Sequence, residues 1–302
     1  MSYSGIWPVA PTPFNDDGSL DLDGMKRVLD LMVDQGVDGI CILANFSEQF
    51  LISDAERDTL TKLCLEHVAG RVPVIVTISH FATEIAVTRA RQAKDLGAGI
   101  VMMMAPYHGV LLKGTPQQTF EQFKAVGEVG IPIMLQDAPL SGVDLSVPFL
   151  ARMAREIEML KLFKIECAGT ATKLRGLLAE AGDHIDGPFD GEEAITLLAD
   201  LDAGATGTMT SALIPDQIKP VVISHLAGDR VTAKAAYARV LPMINHENRQ
   251  CGFRGTKDAL VEGGVIKSAF CRHPIPPLPT ATKAELIDHL KPLDPLILSW
   301  AK

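Results

Sequence analysis

Cysteine is scarce and odd in number: Cys41, Cys64, Cys167, Cys251 and Cys271 are the only five among 302 residues. None stands in a CxxC pair, which argues against a disulfide framework and against a zinc site, and suggests a reducing, cytoplasmic compartment. Positive charge is also in deficit, with 28 Lys and Arg against 37 Asp and Glu and a net charge of -9. That balance leaves no electrostatic footprint for nucleic acid or for anionic lipid. The N-terminal MSYSGIWPVAPTPF has no basic region leading into a long apolar run, so neither a secretory signal nor a membrane span is expected. No GxGxxG follows the first strand-like segment, which removes the main support for a dinucleotide site.

What is present is ordinary globular material, 47% hydrophobic and 22% charged. Short apolar runs that end in turn or polar residues alternate with helical patterns. GIWPVAPTPF precedes a helix over about 22 to 36, GICILA one over about 53 to 69, and VPVIVTIS one over about 83 to 97. GIVMMMAP, IPIMLQDAP, MLKLFKIE, HIDGPFDG and GATGTMTS continue the series to eight repeats. Eight strand-then-helix units favour a closed (β/α)8 TIM barrel of α/β class over an open doubly wound sheet. After about residue 228 the alternation stops, and ARVLPMINHENR and KAELIDHLKPL read as helices around the proline-rich HPIPPLP. We therefore expect a catalytic barrel over 1–228 and, over 229–302, a C-terminal helical extension of the same domain.

In such a barrel chemistry sits at the C-terminal ends of the strands. Thr12, Asn45 to Glu48, Ser79, His80, Tyr107, His108, Gln136, Asp137, Lys164, Glu166, Asp190, Gly191 and Thr208 to Ser211, Met209 among them, fall there. Only one is a lysine among apolar neighbours. In LFKIEC, Lys164 and Glu166 are two apart, so on a strand they share one face, while Leu160, Leu162, Phe163 and Ile165 surround them. Burial of the lysine favours its neutral, nucleophilic amine. The competing possibility is a permanent ion pair that keeps both groups inert, and for Gln136 a core amide satisfied by backbone.

Several of these segments, in order, resemble the dihydrodipicolinate synthase and N-acetylneuraminate lyase family of Schiff-base-forming barrels. ANFSE over 44–48 matches that family's glycine-threonine-threonine-glycine-glutamate loop, APYHG its proline-tyrosine loop, QDAP its tyrosine-asparagine-x-proline, and Lys164 its imine-forming lysine. The departures carry information too. Gln136 and His108 stand where the family has proton-relaying tyrosines, Phe46 replaces a threonine, and APLSGVDLS has no counterpart of the synthase arginine. Glutamine cannot act as a general acid or base.

The combination of Gln136, Lys164 and Glu166 resembles the branch of the family that dehydrates L-2-keto-3-deoxyarabonate. That likeness implies loss of water from a 2-keto-3-deoxy sugar acid to give 2,5-dioxopentanoate, with Lys164 forming the imine, Glu166 moving the proton and Gln136 orienting the C4 hydroxyl. It implies no cofactor and no metal. The substrate carboxylate would meet the backbone N–H groups of Phe46 and Ser47 and the Ser47 hydroxyl. Gly191, at an expected helix start, would admit close backbone approach. His80, Tyr107, His108 and Met209 complete the expected substrate-binding set, with the Tyr107 and His108 loop at a subunit contact of a homotetramer. His80 and His108 have no carboxylate or cysteine at ligand spacing and read as polar pocket or interface residues. An aldolase that cleaves C3–C4 to release pyruvate, and a barrel that only binds a sugar acid, remain as alternatives.

Overall fold

The computed structural model describes residues 3–109, 111–138 and 141–302. Pro139 of QDAP and Leu140 of APLSGVDLS lie outside the described residues. Eight strands alternate with helices: β1 Gly5–Ile6, α1 Leu22–Asp34, β2 Ile40–Ile42, α2 Asp54–Val68, β3 Val74–Thr77, α3 Thr83–Asp95, β4 Ile100–Met104 and α4 Pro116–Gly127. They continue through β5 Ile133–Asp137, α5 Val147–Glu156, β6 Leu160–Ile165, α6 Thr170–Ala181, β7 Gly187–Asp190, α7 Leu197–Asp202, β8 Gly207–Thr208 and α8 Pro215–Leu226. Three helices follow: α9 Arg230–His246, α10 Phe253–Glu262 and α11 Thr280–Leu290. The periodicity had not marked α10, nor a short hairpin that pairs Tyr107–His108 with Leu112–Lys113. Among the described residues no helix is long and apolar enough to cross a membrane.

Local chemistry accounts for where the helices begin. Ser53 accepts from Glu56 N–H while the Glu56 carboxylate returns to Ser53 N–H, a capping box that starts α2. Thr115 and Gln118 do the same for α4, with Pro116 at the first helical position, where a missing N–H costs nothing.

The chain forms two compact units, one of residues 1–5 and 75–209 and one of residues 6–74 and 210–302. In the first, β8, β7, β6, β5, β4 and β3 pair in that order, all parallel. Their apolar side chains are buried on both faces, as parallel strands covered by helices require, and Met102, Met103 and Met104 are core residues of β4. The register places Gln136 opposite Lys164, Lys164 opposite Phe189, and Ile165 opposite Asp190. Three strand ends are thereby aligned at one level.

In the second unit Val9 bridges Cys41 on one side and Ser211 on the other, and Ile40 N–H donates to Pro73 C=O. Gly39 lies under the Trp7 ring so closely that a Cβ would stand 2.2 Å from it, so only glycine fits. Phe14 has two cations against its ring, Lys257 Nζ and the Arg272 guanidinium, each 4.4 Å from the centroid. Lys257 pairs with Glu48, both side chains fully buried, and donates to Phe270 C=O at 2.9 Å. Arg272 binds Glu56 through both terminal nitrogens and also reaches Gly18 C=O and Leu51 C=O. That guanidinium holds the Glu56 carboxyl well below the usual range, at about 2.

Removing one member of a buried pair strands the other, so Lys257→Met is expected to destabilise the protein by about 3–5 kcal/mol. Denaturant unfolding measures it, and a loss below about 1 kcal/mol would show that Glu48 finds another partner.

Candidate active site

The strand ends of the first unit bring three sequence-expected residues together. Lys164 on β6 is 3% exposed, and its Nζ lies 3.0 Å from Glu166 Oε2. Gln136 Nε2, on the neighbouring β5, donates to that same oxygen at 2.7 Å. Glu166 stands one residue beyond β6, but its N–H donates to Asp137 C=O at 2.9 Å and so prolongs the parallel ladder. The two-residue alternation therefore survives past the strand and delivers both charged side chains to one place. Gln136 Oε1 is buried and receives no donor from the described residues. Its amide is neither wholly backbone-satisfied nor fully spent: one end holds the carboxylate and the other remains an acceptor.

Beside this group Asp137 holds Lys173 of α6 at 2.5 Å. Burial pushes the Asp137 carboxyl up, Lys173 pulls it down, and the charges of Asp144 and Glu166 push it up again. Lys173 was not legible in the sequence because it comes from a helix rather than a strand end. Its only signal was its place in the first turn of the helix that follows the Lys164 strand.

Gly191 follows β7 and lies against the stem of Lys164. A Cβ there would stand 2.7 Å from Lys164 Cγ and 2.8 Å from Ile165 O. The expected helix start is corrected, since α7 begins only at Leu197 and a loop over 191–196 wound around Asp190 intervenes. The Gly191 N–H is committed to Ile165 C=O at 2.9 Å, so close approach here serves the lysine stem. Gly191→Ala is expected to cost about 1–3 kcal/mol in unfolding, as overpacking does. Displacing the lysine should also slow borohydride trapping of a pyruvate imine by about 10²-fold. Trapping at the normal rate would show that the lysine tolerates the added methyl.

Phe46 and Ser47 belong to the other unit, in a one-turn 3-10 helix over Asn45–Ser47. Ser47 N–H donates to Ala44 C=O at 2.9 Å, and its hydroxyl donates to Ala10 C=O at 2.7 Å while accepting Ala44 N–H at 3.1 Å. The expectation that Ser47 offers two donors to a substrate carboxylate is therefore corrected: both are used to close the turn and tie it to the first strand segment. Phe46 packs edge-on against Phe253 of α10, centroids 6.3 Å apart. Asn45, a strand-end candidate to which the sequence assigned no role, has its Nδ2 buried without an acceptor among the described residues while its Oδ1 accepts from Gln49 at 2.6 Å. The turn thus retains one buried amide donor, beside Phe46.

The remaining expected residues lie in the first unit. His80 Nδ1 accepts Ala82 N–H at 3.0 Å, just before α3. Tyr107 is half-buried in the hairpin, where burial pushes its hydroxyl pKa up, and exposed His108 lies against the Phe81 ring at 6.3 Å. Met209 is fully buried, its N–H donating to Asp190 C=O at 3.0 Å, which makes it a packing residue.

Comparison with known proteins matches this arrangement to a family. The chain is 56% identical over 300 residues to the L-2-keto-3-deoxyarabonate dehydratase of Azospirillum brasilense, covering 99% of this chain and 97% of that enzyme. It is 28% identical over 295 residues to the 4-hydroxy-tetrahydrodipicolinate synthase of Methanosarcina mazei, covering 96% and 98% of the two chains. A candidate dihydrodipicolinate synthetase from Pseudomonas aeruginosa, solved by crystallography, superimposes with a TM-score of 0.90 at 32% identity over 97% of this chain and 100% of that one. The fold is accordingly the (β/α)8 barrel with C-terminal helices. The dihydrodipicolinate synthetase family model spans residues 2–293, and the chain belongs to that family.

Proposed function

We propose that this protein is a Schiff-base hydro-lyase that converts L-2-keto-3-deoxyarabonate to 2,5-dioxopentanoate. The observation that carries the proposal is the convergence of Lys164, Glu166 and Gln136 on one carboxylate oxygen, in a chain more than half identical to a dehydratase of that substrate. Lys164 Nζ adds to the C2 carbonyl and water leaves, giving an iminium that acidifies C3. Glu166, within hydrogen-bonding distance of that nitrogen, takes the C3 proton. The enamine then expels the C4 hydroxyl, which leaves as water when Glu166 returns the proton. Gln136 Oε1 accepts a hydrogen bond from the C4 hydroxyl and holds it in line for departure.

The conjugated iminium next loses a C5 proton, regains one at C3, and the resulting enol becomes the C5 aldehyde; hydrolysis frees Lys164. One water is lost overall. The iminium nitrogen is the electron sink throughout, so the sequence of steps calls for no cofactor and no metal.

Incubation with 2-keto-3-deoxypentonates of both C4 configurations, with analysis for 2,5-dioxopentanoate and for pyruvate, tests the proposal. Free pyruvate as the main product would replace it with an aldolase. With no disulfide among the described residues, the five cysteines favour a reducing cytoplasm. Family likeness, with Leu111 and Leu112 of the hairpin and Phe81 beside it carrying exposed apolar surface, supports a homotetramer. Sedimentation at assay concentration should give four subunits; a fully active monomer would refute the assembly.

A further inference from the structure

Glu166 holds its place from outside the strand that carries Lys164. β6 ends at Ile165, and Glu166 opens the 166–169 connection to α6. The peptide between Ile165 and Glu166 is gripped from both flanking strand ends. Gly191 N–H donates to Ile165 C=O at 2.9 Å, and Glu166 N–H donates to Asp137 C=O at 2.9 Å. Past that peptide the connection closes on the first turn of α6: the Thr170 hydroxyl donates to Cys167 C=O at 2.7 Å, and the N–H groups of Thr172 and Lys173 donate to Gly169 C=O at 2.9 and 3.2 Å.

Lys173 Nζ then reaches back from α6 to Asp137 Oδ2 at 2.5 Å. A ring results. It runs from the Asp137 side chain through Lys173, the first turn of α6 and the 166–169 connection, and returns to Asp137 C=O through the Glu166 N–H. Asp137 lies opposite Ile165, and Gln136 opposite Lys164. Side chains alternate along a strand, so the ion pair stands on the α6 side of the sheet, away from Gln136 and Lys164.

Stability does not account for this lysine. A cation in a first turn opposes the helix dipole by about 0.3–1 kcal/mol, and α6 has neither an acidic residue there nor a side-chain cap to offset it. The Lys173 and Asp137 side chains are 14% and 5% exposed, and a pair so buried gains little over apolar side chains of the same size, because desolvation cancels attraction. Among the described residues Asp137 Oδ2 has no other partner, and fully exposed Asp144, 3.9 Å from the same nitrogen, adds little. A local rule broken without an energetic return points to function.

We infer that the Asp137–Lys173 ion pair braces the 166–169 connection and so positions Glu166 for proton transfer. Both are positioning residues and neither meets the substrate. The inference rests on the proton-moving role proposed for Glu166. That carboxylate has to stand 3.0 Å from Lys164 Nζ and 2.7 Å from Gln136 Nε2 at once. A misplacement of about 1 Å can lower rate by about 10²-fold. Lys164 lies within β6, paired to a strand on each side, and does not depend on the brace.

Pyruvate in heavy water isolates the proton step. Its iminium loses a methyl proton to Glu166, the carboxyl exchanges that proton with solvent, and the enamine takes up deuterium, so the methyl signal fades from the proton NMR spectrum. Borohydride trapping reads imine formation separately, and Lys164→Ala gives the uncatalysed rate. Lys173→Met and Asp137→Asn are each expected to slow exchange by about 10- to 10²-fold while trapping stays within about twofold of wild type. Lys173→Arg keeps the cation and should restore exchange to within about fivefold of wild type. The double variant Asp137→Asn with Lys173→Met should lose no more than the worse single variant, since one brace breaks only once. It also buries no lone charge, which keeps the inference testable if a single variant does not fold.

Normal exchange in Lys173→Met, an equal fall in trapping and exchange, Lys173→Arg as slow as Lys173→Met, or additive losses in the double variant overturns the brace. Glu166→Gln separates this from the reading beneath it. Normal exchange in Glu166→Gln would refute the proton role and the brace with it, whereas slow exchange there beside normal exchange in Lys173→Met would refute the brace alone. None of these readouts requires dehydration. A protein that exchanges pyruvate protons through Glu166 and dehydrates no sugar acid would refute the proposed reaction and leave the brace standing.

Discussion

Lys164→Ala is expected to lower turnover by about 10⁴-fold or more, the scale on which enzymes lose rate when a covalent nucleophile is deleted. It should also abolish the adduct that borohydride reduction with pyruvate leaves on the wild-type protein. Lys173, the other lysine of the neighbourhood, is held by Asp137 at 2.5 Å and comes from α6. Peptide mass mapping after reduction therefore discriminates sharply: added mass belongs on the peptide containing Lys164. Label on a Lys173 peptide, or persistent labelling of Lys164→Ala, would remove the nucleophile from the mechanism.

Glu166→Gln separates proton transfer from imine formation. The amide keeps the size of the carboxylate and can still bond Gln136, but it cannot accept a proton. The variant should trap pyruvate normally while turnover falls by about 10²- to 10⁴-fold, the range for losing a general acid-base group. If trapping fell in parallel with turnover, Glu166 would be acting only on Lys164, to which it lies 3.0 Å away. Dehydration at nearly the wild-type rate would leave Glu166 without a chemical role.

The eight strand-helix alternations were legible because parallel strands buried on both faces write themselves as apolar runs, IVMMM of β4 being the plainest. Lys164 and Glu166 were legible for the same reason, since a charge inside such a run has few structural uses. Gln136 was placed correctly beside them, but its bond to Glu166 was not, because that bond depends on the inter-strand register. Ser47 failed differently. Residue type made it a donor, yet a 3-10 turn and a carbonyl 37 positions earlier had already claimed its hydrogens. Lys173 with Asp137 and Lys257 with Glu48 join residues whose meeting depends on tertiary folding. Gly191 was rightly marked as a close approach and wrongly assigned to a helix start, since a loop tied to a buried carboxylate reads locally like a capped N-terminus.

The Arg272 contacts also have a consequence during synthesis. The guanidinium that binds Glu56 is made 216 residues after it, and the unit containing both is built from residues 6–74 and 210–302. At roughly 5–20 residues per second, that interval lasts about 10–45 s. Until then the early segment carries Glu48 and Glu56 without their cations, whereas residues 75–209 emerge as one uninterrupted run able to collapse on their own strands. Residues 6–74 are thus the stretch of the nascent chain that waits longest for its ion partners.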